Sequence, residues 1–139
     1  MAKRGQAVLE RVPLFEGLSK AQLRQIRDLT DEVRYMESAS IVKEGAPADS
    51  FYVILEGQAT VKRTGRTIAR LLPGDFFGEI SLLDGGARTA TVTSETRMAL
   101  LELKQKRFRT MIERQPDVAL KIMQGLAQRL REMERPLAG

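Results

Sequence analysis

The residues best suited to chemistry lie close together, in Phe76-Phe77-Gly78-Glu79-Ile80-Ser81-Leu82-Leu83 and, after the turn Asp84-Gly85-Gly86-Ala87, in Arg88-Thr89-Ala90-Thr91-Val92. The first stretch has the composition of a turn or two of helix opening at Gly78, a residue that permits close approach. The first amides of a helix lack intrahelical acceptors and lie at the positive end of the backbone dipole, so they can donate to a phosphate. Arg88 offers the counter-charge, and its planar fork matches two phosphate oxygens. The second stretch reads as a strand, which would give Arg88 a stiff base while Thr89 adds a hydroxyl and Ala90 an amide. Glu79 needs a different task, because a carboxylate beside a phosphate repels it. Turned away from the anion, it would accept hydrogen bonds from a sugar hydroxyl, and ribose fits. Each signal has an ordinary reading too: a Gly-Glu pair is common, and the flanking residues could be plain turn and plain sheet.

The surrounding pattern supplies elements to position these groups. Val33-Arg34-Tyr35 alternates, Phe51 to Leu55 is apolar and β-branched, and Ala59 to Arg63 alternates before Thr64-Gly65-Arg66 turns into Thr67 to Leu72. Met98 to Leu103 closes the series. Short strands at this spacing, with Gly and Pro between them, suggest a small sandwich or barrel. Ahead of it, Ser19-Lys20-Ala21-Gln22 has the form of a capping box, followed at helical spacing by Leu23, Ile26, Leu29 and Val33. Behind it, Phe108, Met111 and Ile112 mark a short helix that yields near Pro116, a residue suited to a first helical turn. From there Val118, Ala119, Ile122, Met123, Leu126, Leu130 and Met133 form a long apolar stripe ending before Pro136. Gly125 interrupts that helix at a cost of ~1 kcal/mol against alanine, which a close crossing, against the strands or a second copy, would explain.

Composition narrows the function. A length of 139 residues suits one domain. No run is apolar enough to span a bilayer and no signal-peptide segment opens the chain, so a cytoplasmic location without membrane insertion is expected. Histidine and cysteine are both absent, which removes the usual neutral-pH base, the thiol nucleophile and most metal ligands. We therefore expect no catalytic residues, no metal and no cofactor. The net charge of +5 sits in the C-terminal helices: residues 1–103 hold 14 basic and 14 acidic side chains, residues 104–139 hold 9 and 4. Glu113, Glu132 and Glu134 break up the basic run, and no base-reading element accompanies it, so nucleic-acid contact is not expected.

Taken in order and spacing, Gly78-Glu79 through Arg88-Thr89-Ala90 resembles the phosphate-binding cassette of cyclic nucleotide-binding domains, the family shared by catabolite activator protein, kinase regulatory subunits and cyclic nucleotide-gated channels. Upstream, Glu44-Gly45 through Phe51-Tyr52-Val53-Ile54-Leu55-Glu56-Gly57 and Leu72-Pro73-Gly74-Asp75 extend the likeness, which runs from about Leu14 to about Arg131. It implies an α+β fold: an eight-stranded antiparallel β-roll, jelly-roll-like, flanked by N-terminal helices and two C-terminal helices. Within a single domain over residues 1–139 it implies a helical N-terminus at 6–31, a roll at 33–103 turning at Gly45, Gly57 and Gly74, a cassette at 76–92, and hinge and lid helices at 105–135. The implied ligand is cyclic AMP, with cyclic GMP as competitor, held by Gly78, Glu79, Ile80, Ser81, Arg88, Thr89 and Ala90. Arg129 would reach the base from the lid, although a solvent-exposed arginine is its bland alternative. Leu82 and Phe108 would exchange packing as the hinge swings, or else simply fill the core. Residues 116–135 would form a homodimer in one branch of the family and remain monomeric in another. The implied role is a sensor acting on an unknown effector through its C-terminal helices. Two alternatives stay open: an interaction module that no longer binds nucleotide, and the sensor half of a transcription regulator without its DNA-binding domain.

Overall fold

The computed structural model describes residues 5–138, and side chains as far as residue 134. Three short elements open it: α1 at Gln6–Leu9, a 3-10 turn at Pro13–Phe15 and α2 at Lys20–Leu29. The capping box forms as the sequence predicts, with the Ser19 hydroxyl accepting from the Gln22 amide at 3.1 Å and the Ser19 amide donating to the Gln22 side chain at 2.9 Å. Eight strands follow: β1 Asp31–Tyr35, β2 Ser40–Val42, β3 Ser50–Glu56, β4 Ala59–Arg63, β5 Arg66–Leu71, β6 Phe76–Phe77, β7 Thr91–Ser94 and β8 Met98–Lys104. A four-residue helix, α3 at Ser81–Asp84, sits between β6 and β7, and α4 at Gln105–Arg114 and α5 at Pro116–Ala138 complete the chain.

The strands form two four-stranded antiparallel sheets, ordered β1-β8-β3-β6 and β2-β7-β4-β5. The α+β roll expected from the sequence is the fold observed. β3 and β8 lie at the centre of the first sheet and are buried on both faces, which is why Phe51 to Leu55 reads as a continuous apolar run rather than an alternation. On one face Phe51, Val53, Leu101 and Leu103 pack with the helices, against Phe15, Leu82, Phe108, Val118 and Ile122. On the other, Tyr52, Ile54, Met98 and Leu100 meet Ile41, Ala59 and Val92 between the sheets. β4 and β5 are joined by a two-residue loop, Thr64 and Gly65, both at positive φ as a tight hairpin requires. Gly45, Gly57 and Gly74 have φ of 84°, 85° and 94°.

Four local expectations change. β2 and β6, with three and two residues, are too short to carry a period and go unseen in the sequence. The strand read from Arg88 begins only at Thr91, so Arg88 lies in irregular chain ahead of β7. α5 continues past Pro136, because a proline's fixed φ is compatible with a helix and near the end it removes only one backbone bond. Gly125 faces the 3-10 region across α5, yet a methyl added there would lie 3.7 Å from the Glu16 carbonyl, an ordinary contact. Packing among the described residues leaves room for alanine, so the crossing does not require glycine.

Candidate functional site

Arg88 owes its position to backbone rather than to a strand. Its amide donates to the Ala46 carbonyl and its carbonyl accepts from the Gly45 amide, both at 2.8 Å, while Ala48 reaches the Gly86 carbonyl at 3.1 Å. The loop carrying Gly45 thus clamps Gly86 to Arg88 from the outside. The side chain then turns inward and is only 8% exposed. Its Nη2 donates to the Ser50 carbonyl at 2.9 Å, the guanidinium lies 5.8 Å from the centre of the Tyr52 ring, and the exposed Asp49 carboxylate stands 4.0 Å away. Tyr52 is held in turn, donating to Glu102 at 2.7 Å and stacking on Phe77 with ring centres 5.0 Å apart. Burial pulls the guanidinium pKa below its usual value, partly offset by Tyr52, Asp49 and Glu102. Burial, reinforced by the bond to Glu102, pushes the Tyr52 phenol up.

Gly78 explains itself against Arg88. A Cβ built there would lie 2.7 Å from Arg88 Nη1 and 3.0 Å from the Ser50 carbonyl, and φ is +85°. The close approach anticipated at this glycine is therefore filled by the protein's own guanidinium. The helix that Gly78 was expected to open starts later, at Ser81, with Ile80 as its cap. The Ser81 and Leu82 amides turn back onto the Gly78 and Glu79 carbonyls, so the donors left outside the helical ladder lie ahead of Ser81.

Glu79 is half-buried, and its Oε2 is buried without a hydrogen-bond partner among the described residues. Burial raises its pKa above the ordinary 4.5, and the charge of Arg129 partly counters the rise. A buried carboxylate oxygen left unpaired costs free energy unless a donor arrives.

These groups face one cavity of about 460 Å³. It is lined by Gly78, Glu79, Ile80, Ser81, Arg88, Thr89 and Ala90, with Phe77, Val42, Val61, Leu71 and Val92 forming an apolar wall and Arg63 and Asp84 at its polar parts. Seven of the eight residues singled out in the sequence are thus brought together. Arg129 is not among the lining: it lines a separate cleft of about 570 Å³ with Pro13, Glu16, Gly17, Lys121 and Gly125, although its charge reaches Glu79. The reason lies in α5, whose first turns are committed to the 3-10 region through Val118 and Ile122. None of the described α5 residues lines the main cavity. Leu82 and Phe108 are both buried in the helical core, 1% and 0% exposed.

Sequence reasoning missed the wall and Arg63. The alternation of Ala59, Val61 and Arg63 signals one face of β4, but only the pairing of β4 with β7 and β5 aims that face at the cavity. Arg63 Nε donates to the Thr89 carbonyl at 3.1 Å, tying the β4–β5 hairpin to the segment that carries Arg88.

A domain of this fold whose buried arginine and orphaned carboxylate share a cavity can take up an anion joined to a hydroxyl-bearing ring. Residues 32–115 match the pattern of the cyclic nucleotide-binding domain, and the chain belongs to that family. It is 34% identical over 109 residues to a cAMP-dependent protein kinase regulatory subunit of Aspergillus fumigatus, covering 77% of this chain and 26% of that protein. It is 27% identical over 136 residues to a CRP-like cAMP-activated global transcriptional regulator of Mycobacterium tuberculosis, covering 94% of this chain and 61% of the regulator. Among solved structures, the N-terminal domain of a transcriptional regulator from Streptomyces coelicolor A3(2) superposes with a TM-score of 0.84 at 35% identity, covering 92% of this chain and 95% of that one. Thermus thermophilus catabolite activator protein gives 0.68 at 32% identity, over 91% and 62% of the two chains. The chain therefore spans about a quarter of the kinase regulatory subunit's length and under two thirds of the bacterial regulator's. Among the described residues no helix is long and apolar enough to cross a membrane, and no cluster of acidic side chains could hold a metal ion.

Proposed function

We propose that the chain is a sensor module that binds a cyclic purine nucleotide, cyclic AMP with cyclic GMP as competitor, in the cavity of Arg88 and Glu79. The observation that carries this reading is the shared cavity: Arg88, whose guanidinium is buried, and Glu79, whose Oε2 is buried without a partner among the described residues, both line it. A cyclic nucleotide matches both at once. Its phosphate loses water on entry and needs charged and neutral donors in return. Arg88, the Thr89 hydroxyl and the backbone amides near Ile80 and Ala90 would supply them. The sugar hydroxyl would donate to the Glu79 carboxylate. The base would lie along the apolar wall of Val42, Val61, Leu71 and Val92.

Signalling requires movement, and α5 stands clear of the cavity. Ligand would draw the cassette inward, and α4 and α5 would follow through Leu82 against Phe108 and through Gln105, whose amide already donates to the Ser81 carbonyl at 2.9 Å. Arg129, close enough to act on the Glu79 charge, would then swing toward the base. The exposed Leu120, Met123, Leu130 and Met133 on α5 suit a second copy of the chain, giving a homodimer through residues 116–135. A more specific second reading is the sensor half of a transcription regulator. It is favoured by the coverage of 95% of the Streptomyces N-terminal domain, and the DNA-binding part would then lie on another segment.

A thermal-shift titration with cyclic AMP and cyclic GMP tests the reading. A ligand confined to the folded state raises the melting temperature, by an amount equivalent to about 2.7 kcal/mol at one hundred times Kd. No shift at millimolar concentrations of either nucleotide would favour an interaction module without a ligand.

A further inference from the structure

We infer that Arg63 is a base-reading residue that raises the affinity of this cavity for cyclic GMP relative to cyclic AMP. The inference rests on the nucleotide-binding reading above and adds the group that discriminates between purines.

Arg63 is one of two cations lining the cavity, and the two differ in availability. Arg88 is buried and partly committed to the Ser50 carbonyl. Arg63 is exposed, at the end of β4, and its side chain makes one hydrogen bond to the described residues, from Nε to the Thr89 carbonyl at 3.1 Å. That bond tethers the guanidinium to the Arg88-Thr89-Ala90 segment and leaves the two Nη groups with donors to spare. The neighbour of Arg63 on the same face of β4 is Val61, two residues and therefore roughly 7 Å back along the strand. Val61 belongs to the apolar wall on which a flat base would rest. A purine lying on Val61 thus has an edge directed at Arg63.

The two purines present different edges. Guanine offers two neighbouring acceptors, N7 and O6, which match two parallel donors of a guanidinium. Adenine offers the N7 acceptor beside the N6 amino donor, so one of those donors meets another donor. Glutamine has the reverse complement, pairing its carbonyl and amide with adenine N6 and N7. No acidic side chain except Glu79 and Asp84 lines the cavity, and Asp84 already accepts from the Gly86 amide at 2.8 Å. Among the described lining residues, Arg63 is therefore the side chain with two parallel donors not already committed to a buried contact.

Calorimetric titration of the full chain, Arg63→Ala and Arg63→Gln with both cyclic nucleotides tests the assignment. Because Arg63 is exposed, both variants retain the fold, which an unchanged melting temperature without ligand verifies. The ratio of cyclic GMP to cyclic AMP affinity is expected to fall by about tenfold in Arg63→Ala, within the range a bidentate base contact provides, and to fall further in Arg63→Gln. A ratio unchanged in both variants, while the wild-type chain binds nucleotide, overturns the role of Arg63 and leaves the site intact. Wild-type chain that binds neither nucleotide overturns both readings together.

Discussion

Arg88 and Glu79 are costly residues to bury, and each has a measurable consequence. Arg88→Ala should weaken nucleotide binding by ~2–5 kcal/mol, the usual penalty for leaving one member of a buried charge pair without its partner. Arg88→Lys should also weaken it, since a point charge cannot reproduce the fork that spans Ser50 and the anion. Equilibrium dialysis on the two variants checks both, and wild-type affinity in Arg88→Ala would remove Arg88 from the site. For Glu79, burial first, countered by Arg129, leaves the folded pKa above the ordinary 4.5. The folded chain then holds a proton that the unfolded chain has released, so the contribution of Glu79 to unliganded stability is full below 4.5 and is lost as pH rises through the window up to the folded pKa. Glu79→Gln should lose this decline, as melting temperatures recorded across the window will show. Nucleotide affinity should rise with pH over the same interval, because the sugar hydroxyl donates to the carboxylate. Gly78, Glu79, Ile80, Ser81, Arg88, Thr89 and Ala90 were all legible from residue type and spacing. What Gly78 makes room for was not, because the nearest atom to its missing side chain belongs to a residue ten positions away.

Among the elements, α2 illustrates how a local signal acquires a tertiary role. Gln22 completes the capping box that the sequence predicts, and its amide also donates to Asp117 at 3.0 Å while its oxygen accepts from Lys121 at 3.1 Å. The residue that caps α2 thereby anchors the start of α5. Gln22→Ala should cost ~1–2 kcal/mol of stability from the lost cap and the unpaired partners, read by urea denaturation. A loss well below 1 kcal/mol would mean that α5 is anchored by Val118 and Ile122 alone. The apolar stripe of α5 divides in two: Val118 and Ile122 are buried, whereas Met123, Leu130 and Met133 are 57%, 57% and 73% exposed. Periodicity shows that a stripe exists, but cannot tell which part the same chain covers, because that depends on where the 3-10 region lies. If the exposed half meets a second copy, Met123→Glu with Leu130→Glu should shift sedimentation to the monomer. A wild-type chain that is already monomeric would exclude the dimer.

For the molecule as a whole, the proposed signalling would depend on how the roll and the C-terminal helices share one core. Phe15 touches both Phe51 of the roll and Phe108 of α4, with ring centres 5.9 and 6.0 Å apart, and Leu82 of the cassette helix packs in the same cluster. A displacement of the cassette therefore has a packed route to α4, and dense cores pass on displacement rather than absorb it. The sequence by itself determined the family, the α+β roll, most strands, the capping box and seven residues of the cavity, since glycine turns, strand periods and a compact cassette are encoded within short windows. Only the tertiary structure decided that Arg88 is held by the Gly45 loop instead of a strand, that Arg63 and the apolar wall face the cavity, and that Arg129 lies in another cleft. Each of those depends on which surfaces two distant segments present to each other once paired, and a pattern confined to one segment carries no record of that choice.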